Sequence, residues 1–295
     1  MIVVRPAESD ADLEAWREVR IALLPNERAP SVEELRRLAT PDKIHLLAEL
    51  DARVVGSGIA RRSDLEGFGT LAARVVPAAR RRGVGTALLR ELAAHLVTKG
   101  FERAFSVVND PGSLAFAERF GFREVARQVE QVRAVGDEPA PRSPEGVSIV
   151  SVAERPELWP DAYEALAVEV FEDIPAPAPL AISANDWERE WMSWPEGTFV
   201  ALVGDEIVGC AGLLRDDDHP WRAEHALTAV RRDCRGRGIA SALKRTTIAW
   251  ASESGVRELY TWTQLDNEAM RRLNEHLGYV TRSECLSLEA PLPLP

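Results

Sequence analysis

Two short stretches of the sequence carry the residue types best suited to holding a reactive ligand. They are Arg80-Arg81-Arg82-Gly83-Val84-Gly85 and Arg235-Gly236-Arg237-Gly238-Ile239-Ala240. Each stands between an apolar, strand-like run and the first turn of an amphipathic helix. A helix start exposes unpaired N–H groups and the positive end of its dipole, so such a turn suits a phosphate or pyrophosphate. The glycines let the backbone approach the anion, and the arginines add charge-assisted contacts. A dinucleotide fold would require GxGxxG, and neither turn has the third glycine; a nucleoside-triphosphate loop would require GxxxxGK[ST], which does not occur. A tight turn with solvated arginines explains one such pattern better than it explains two at equivalent places.

The elements that position these turns form an internal repeat. Residues 136–146 hold three prolines, two glycines and no large apolar residue, which predicts a linker between domains at 1–135 and 147–295. Each domain opens with an extended run, Ile2-Val3-Val4 or Val147-Ser148-Ile149-Val150, followed by an acidic helical stretch. Hairpins follow, turning at Asp51-Ala52 and Gly204-Asp205 between runs that alternate at period two. A strand, the Gly/Arg turn and a helix come next, predicted over Thr86–Val97 and Ser241–Ala251. Each half then closes with Gly-aromatic, Gly121-Phe122 or Gly278-Tyr279. The equivalent glycines Gly56/Gly209, Gly83/Gly238 and Gly121/Gly278 are offset by 153, 155 and 157 residues, a drift too small for coincidence.

A net charge of −11 argues against a nucleic-acid backbone as the main partner, because tracking it requires a broad basic face. No apolar run approaches the ~18 residues of a membrane span. The start of the chain lacks the pattern of a secretory signal, so a cytoplasmic location is expected. Cys210, Cys234 and Cys285 form neither a disulfide framework nor a metal-binding pair, and the histidines lack metal-ligand spacing, so no metal is expected.

At the Gly/Arg turns the sequence resembles the GCN5-related N-acetyltransferase (GNAT) superfamily, whose pyrophosphate loop reads [QR]xxGx[GA]. Arg80–Gly85 and Arg235–Ala240 both fit it. The preceding strands end in Val75-Val76-Pro77 and Thr228-Ala229-Val230, and Asn109 and Asn267 precede the helices that end in Gly-aromatic, as in that family. The resemblance implies an α/β fold of two tandem GNAT-like domains, each a splayed mixed β-sheet flanked by helices. It further implies that acetyl-CoA lies in the splay between strands four and five. In the second half Thr228, Val230, Arg232, Arg235, Gly236, Arg237, Gly238, Ile239, Ala240 and Asn267 would bind it. In the first half Val75, Pro77, Arg80, Arg81, Arg82, Gly83, Val84 and Gly85 would do so.

Acetyl transfer to an amine requires the neutral amine, a donor to the oxygen that gains charge and an acid for the departing thiolate. An alkylammonium with pKa near ~10 is mostly protonated at pH 7, so a placed carboxylate helps. Histone-type members of the family have a glutamate eleven residues before the pyrophosphate loop; here that position is Glu224, and Gly69 in the first half. An exposed strand-end carboxylate is the plainer reading of Glu224. His225 would point to the opposite face of a regular strand. The oxyanion donor would be the N–H of Val230, or of Val75. The family's tyrosine acid is replaced by Asn274 and Ala117; Asn274 could hydrogen-bond the sulfur, and Ala117 could not.

On the acceptor side, Trp187, Trp191 and Trp194 form either a packing cluster or an aromatic wall for an amine, with Asp186, Glu188 and Glu190 nearby. The expected function is acetyl-CoA-dependent N-acetylation of a small primary amine in the C-terminal half. The alternatives are a non-catalytic acyl-CoA-binding or sensing protein, or an acetyltransferase of the mycothiol-synthase or antibiotic-modifying type.

Overall fold

The computed structural model describes residues 1–295 and divides the chain into two compact units. The first comprises Met1–Arg127 with Cys285–Pro295, and the second Gln128–Glu284. In chain order the first half contains β1 (Ile2–Pro6), α1 (Asp10–Leu23), α2 (Val32–Arg37), β2 (Ile44–Leu50), β3 (Arg53–Arg62) and β4 (Phe68–Val75). It continues with α3 (Val84–Thr98), β5 (Arg103–Val108), α4 (Pro111–Glu118) and β6 (Arg123–Ala134). The second half contains β7 (Ser148–Ser151), α5 (Leu158–Asp173), α6 (Ala184–Glu190), β8 (Phe199–Val203), β9 (Glu206–Arg215) and β10 (Arg222–Val230). It ends with α7 (Ile239–Glu253), β11 (Glu258–Gln264), α8 (Glu268–His276) and β12 (Val280–Pro291).

The sheet of the first unit runs β1-β2-β3-β4-β5-β12, and that of the second β7-β8-β9-β10-β11-β6. In each, only the fourth and fifth strands are parallel (β4 with β5, β10 with β11). The closing strands are exchanged along the chain. Leu286–Pro291 of β12 pairs with β5, and Gln128–Ala134 of β6 pairs with β11. The compact units therefore do not follow the expected cuts at 135 and 147. Residues 136–146, the proposed linker, carry no helix or strand and belong to the second unit.

Period-two alternation places the core. On β2, Leu46 and Ala48 face α3 with Leu88, Leu92 and Leu96, while Leu47 faces α1 with Leu13 and Trp16. Each fully buried leucine stabilises the fold by roughly 2 kcal/mol. The helix must approach the sheet closely: a Cβ at Gly69 would lie 2.5 Å from Leu96 Cδ2. In the second unit α5 packs Leu158, Trp159, Leu166 and Val170 on one face of the sheet, and α7 packs Ile239 and Leu243 on the other. The hairpins turn where expected, with Asp51 and Ala52 both at positive φ and Gly204 at +60°. The α3 and α7 helices begin two residues earlier than periodicity suggested, immediately after Gly83 and Gly238.

Candidate active site

The parallel strands part early. The β4–β5 ladder spans only Phe68–Thr70 against Arg103–Phe105, and the β10–β11 ladder only Arg222–Glu224 against Glu258–Tyr260. Beyond those residues β4 and β10 present an open edge. Arg231 N–H donates to Val208 O (2.9 Å), so Val230 itself turns its N–H and C=O away from β9 and towards that edge. The Val230 carbonyl accepts from Arg235 Nε at 2.9 Å. The first unit repeats this geometry: Val76 N–H donates to Val55 O, and the Val75 carbonyl accepts from Arg80 Nε at 3.1 Å.

Both Gly/Arg turns have one backbone shape. Gly83 (φ +87°) and Gly238 (φ +80°) cap the helices in the left-handed region, and Gly236 (φ +74°) matches Arg81 (φ +62°). The N–H groups of residues 81–86 and 236–241 make no hydrogen bond within the chain, so each turn presents a cradle of amides at a helix start. Arg81 is the non-glycine member of the set, and a left-handed residue with a Cβ costs about 1 kcal/mol. Arg81→Gly is therefore expected to raise the stability of the first unit by about 0.5–1 kcal/mol, read as a shift in denaturation midpoint.

The arginines around the second turn are not equally presented. Arg232 pairs with Glu172 and Asp173 at the end of α5 (2.9 and 2.6 Å), and Arg235 pairs with Asp173 (2.5 Å). Arg232, then Arg235, hold the Asp173 carboxyl down at about 2. Arg237 is exposed, with only a 3.9 Å contact to Cys234 Sγ. In the first turn Arg80, Arg81 and Arg82 are exposed, Arg82 lying 3.4 Å from Asp51. Pro77 starts the short turn between β4 and this loop. A cavity of about 650 Å³ opens beside Gly238 and the first turns of α7. Its other walls are Arg133, Glu138, the segment 139–142 and Arg245, so part of the expected linker lines it.

Glu224 occupies the last paired position of β10, at the crotch where the strands part. Its Oε2 accepts a hydrogen bond from Tyr260 Oη, directly beside it on β11, at 3.2 Å. The side chain is half-buried and faces the α5 side, opposite to His225. Between His225 and Thr228 the β9–β10 register shifts through a bulge, which returns Thr228 to the face of His225. The β3–β4 register is unbroken from Gly69 to Val75. The residue at the crotch of the first unit is consequently Thr70, one position beyond the Gly69 reached by counting; an uncharged hydroxyl stands where the second unit has a carboxylate.

Behind Glu224, on the α7 face, lies a buried polar cluster that the sequence reading did not assemble. His225 Nδ1 is 3.0 Å from Tyr279 Oη, and its Nε2 lies 3.4 Å from Thr247 Oγ1 and 3.5 Å from Thr228 Oγ1. Lys244 is 1 % exposed, with Nζ 5.4 Å from the Tyr279 ring centre. Burial pushes the Lys244 ammonium down to about 7, and burial together with Lys244 holds His225 neutral. The first unit has Leu71, Leu89, Leu92 and Phe122 at the corresponding places, all buried and apolar.

Asn274 is fully buried on α8, and its amide donates to Gln131 Oε1 (2.9 Å) and Thr263 Oγ1 (3.3 Å). Both of its hydrogens are engaged, so the expectation that it serves a departing sulfur is withdrawn. Ala117 is buried in the first core. Asn267 caps α8 by accepting from Met270 N–H at 3.2 Å. The tryptophans resolve as packing: Trp187 is fully buried and stacks on Trp159 (4.7 Å) and Trp191 (6.2 Å), while Trp194 meets Trp250 edge-on. Asp186 completes a capping box with Ser183. All three cysteines are buried free thiols.

The model of the acetyltransferase (GNAT) family matches the chain twice, at residues 12–122 and 157–279. A mycothiol acetyltransferase of Geodermatophilus obscurus is 30% identical over 236 residues, covering 76% of this chain and 75% of that protein. One from Pseudarthrobacter chlorophenolicus is 26% identical over 292 residues, covering 90% and 88%. Among solved structures, a tandem GNAT protein from the clavulanic acid biosynthesis pathway superposes with a TM-score of 0.76 at 21% identity, over 99% of this chain and 98% of that one.

Proposed function

The chain is an N-acetyltransferase of the acetyltransferase (GNAT) family, and we propose that its second unit transfers an acetyl group from acetyl-CoA to a primary amine of a small molecule. The observation that carries this reading is Glu224, a hydrogen-bonded carboxylate at the parting of β10 and β11. The chain's groups fit the donor. The unpaired amides of residues 236–241 would hold its pyrophosphate, and Arg237 lies beside them. The cavity walled by Arg142 and Arg245 would take its nucleotide end. The open edge at Thr228 and Val230 would pair with its pantetheine arm. Bound acetyl-CoA supplies an activated thioester.

The chain's residues would then divide the work. Glu224 accepts the proton that the ammonium must lose, directly or through a water, while the Tyr260 hydroxyl steadies the carboxylate. The Val230 N–H, unpaired at the open edge, donates to the carbonyl oxygen as charge develops there; the C–N bond forms, the C–S bond breaks, and the departing thiolate would take its proton from solvent. The first unit keeps the amide cradle and the edge at Val75, but Thr70 provides no base. It would bind coenzyme A or buttress the fold.

The test is amine-dependent thiol release across a panel of primary amines that includes the desacetyl form of mycothiol, because relatives carry the name mycothiol acetyltransferase. Glu224→Gln is expected to lower kcat/KM about 100-fold near pH 7, with the loss narrowing as pH approaches the amine's own pKa. An unchanged pH profile would remove Glu224 as the base. Tight coenzyme A binding with no thiol release over the panel would replace the enzyme by a sensor.

A further inference from the structure

The α1-facing side of the first unit carries cationic and polar side chains with buried atoms that have no partner in the chain. The side chain of Arg74 on β4 makes no hydrogen bond or ion pair within the chain, and its Nη1 is fully buried. Ser57, directly opposite it on β3, is completely buried with an unpartnered hydroxyl. Arg20 on α1 reaches Glu27 and the Arg28 carbonyl through Nη2, but leaves Nε buried and unpartnered. His45 on β2 points to the same face, edge-on to Trp16 at 4.8 Å, and its Nε2 is likewise buried without a partner. Burial and the Lys43 ammonium push the His45 imidazole down to about 4, so it is neutral.

Nothing in the fold requires these residues. In the second unit the positions of Ser57 and Arg74 are Cys210 and Ala229, which pack with Phe171 and Val200 in an apolar cluster. The first unit instead places one half-buried guanidinium beside a second, with Glu27 as the acid that offsets them. Burial, then the neighbouring Arg20 charge, pushes Arg74 down to about 9. Two neighbouring guanidiniums sharing one carboxylate, with buried N–H groups left over, are unfavourable, and the fork of donors matches the oxygens of a carboxylate or phosphate. Buried donors of this kind are satisfied in nearly all native proteins.

We propose that this face of the first unit is a binding site for a small anion, a carboxylate- or phosphate-bearing molecule held by the forks of Arg74 and Arg20 with the Ser57 hydroxyl donating. The site is independent of acetyl transfer in the second unit. It gives the first unit a ligand of its own, beside the open edge at Val75.

The test is thermal melting of the full chain in acetate, succinate or inorganic phosphate against chloride at equal ionic strength. The expected result is a rise in melting temperature of about 3 °C for at least one anion. The carboxylate and phosphate arms identify which class is preferred. Arg74→Met is expected to melt no lower than wild type in chloride and to lose at least three-quarters of the gain. Anions on the amide cradles stabilise both proteins alike, so only the difference counts. If Arg74→Met does not fold, Arg74→Lys and Ser57→Ala serve instead, each expected to lose at least half of the gain. A folded variant that keeps the full gain, or a wild type indifferent to all three anions, would overturn the proposal.

Discussion

Gly238→Glu is expected to lower acetyl transfer at least about 100-fold while the protein remains folded. Gly238 sits at φ +80° and opens a run of unpaired amides at residues 236–241. A glutamate there places a carboxylate where an anion must sit and strains the turn through its Cβ. Loss of two charge-assisted hydrogen bonds amounts to roughly 3 kcal/mol, which corresponds to about a hundredfold in rate if it falls on the transition state. The backbone strain costs the fold about 1 kcal/mol, small enough for thermal melting to confirm that the variant is native. Turnover within a few-fold of wild type would mean that the second cradle does not serve the reaction.

Lys244→Met is expected to stabilise the protein, and by more at pH 6 than at pH 10. An ordinary lysine titrates near ~10.4, and burial pushes Lys244 down to about 7. Below about pH 7 the ammonium is charged in both the folded and unfolded chain, so the folded state bears the full desolvation cost. Between about 7 and ~10.4 the unfolded state holds more protons, and stability therefore rises with pH. Above that window both forms are neutral and the cost has gone. The groups around Nζ offer no carboxylate to relieve it: His225 is neutral, and Tyr279 presents its ring. The full penalty is at most about 5 kcal/mol, so methionine is expected to gain several degrees in melting temperature at pH 6 and little at pH 10. Equal gains at both values would show that Lys244 is not titrating in the fold.

The repeat, the hairpins and the two cradles were legible because each rests on local rules. Turn residues, helical stripes and glycines before a helix leave marks within a few positions, as at Asp51-Ala52 and at Gly83 and Gly238. The exchange of closing strands left no such mark. β6 and β12 have the same place in each repeat whichever sheet they join, and only long-range pairing, such as Leu288 opposite Ser106, reveals it. The bulge in β10 was equally silent, and one extra residue moved the counterpart of Glu224 from Gly69 to Thr70. Counting along a strand presumes a regular pleat, and that presumption failed at the strand that matters most. Asn274 shows the converse limit: its place in the motif pointed to chemistry, but its hydrogens are engaged by Gln131 and Thr263, residues remote in sequence. The unpartnered Arg74 was visible as a residue, yet its isolation depends on what α1 does not supply.

The two units share a cradle and an open edge and differ at the crotch of the splay, where one has Glu224 and the other Thr70. The assignment of chemistry to the second unit is tested most directly by single-turnover transfer of labelled acetyl from acetyl-CoA to a primary amine by the Gly83→Glu protein. Gly83 has the same left-handed backbone as Gly238, so this substitution imposes the same strain and the same charge on the first cradle. The expected rate is within about twofold of wild type. A folded Gly83→Glu protein that transfers no acetyl would place the chemistry in the first unit.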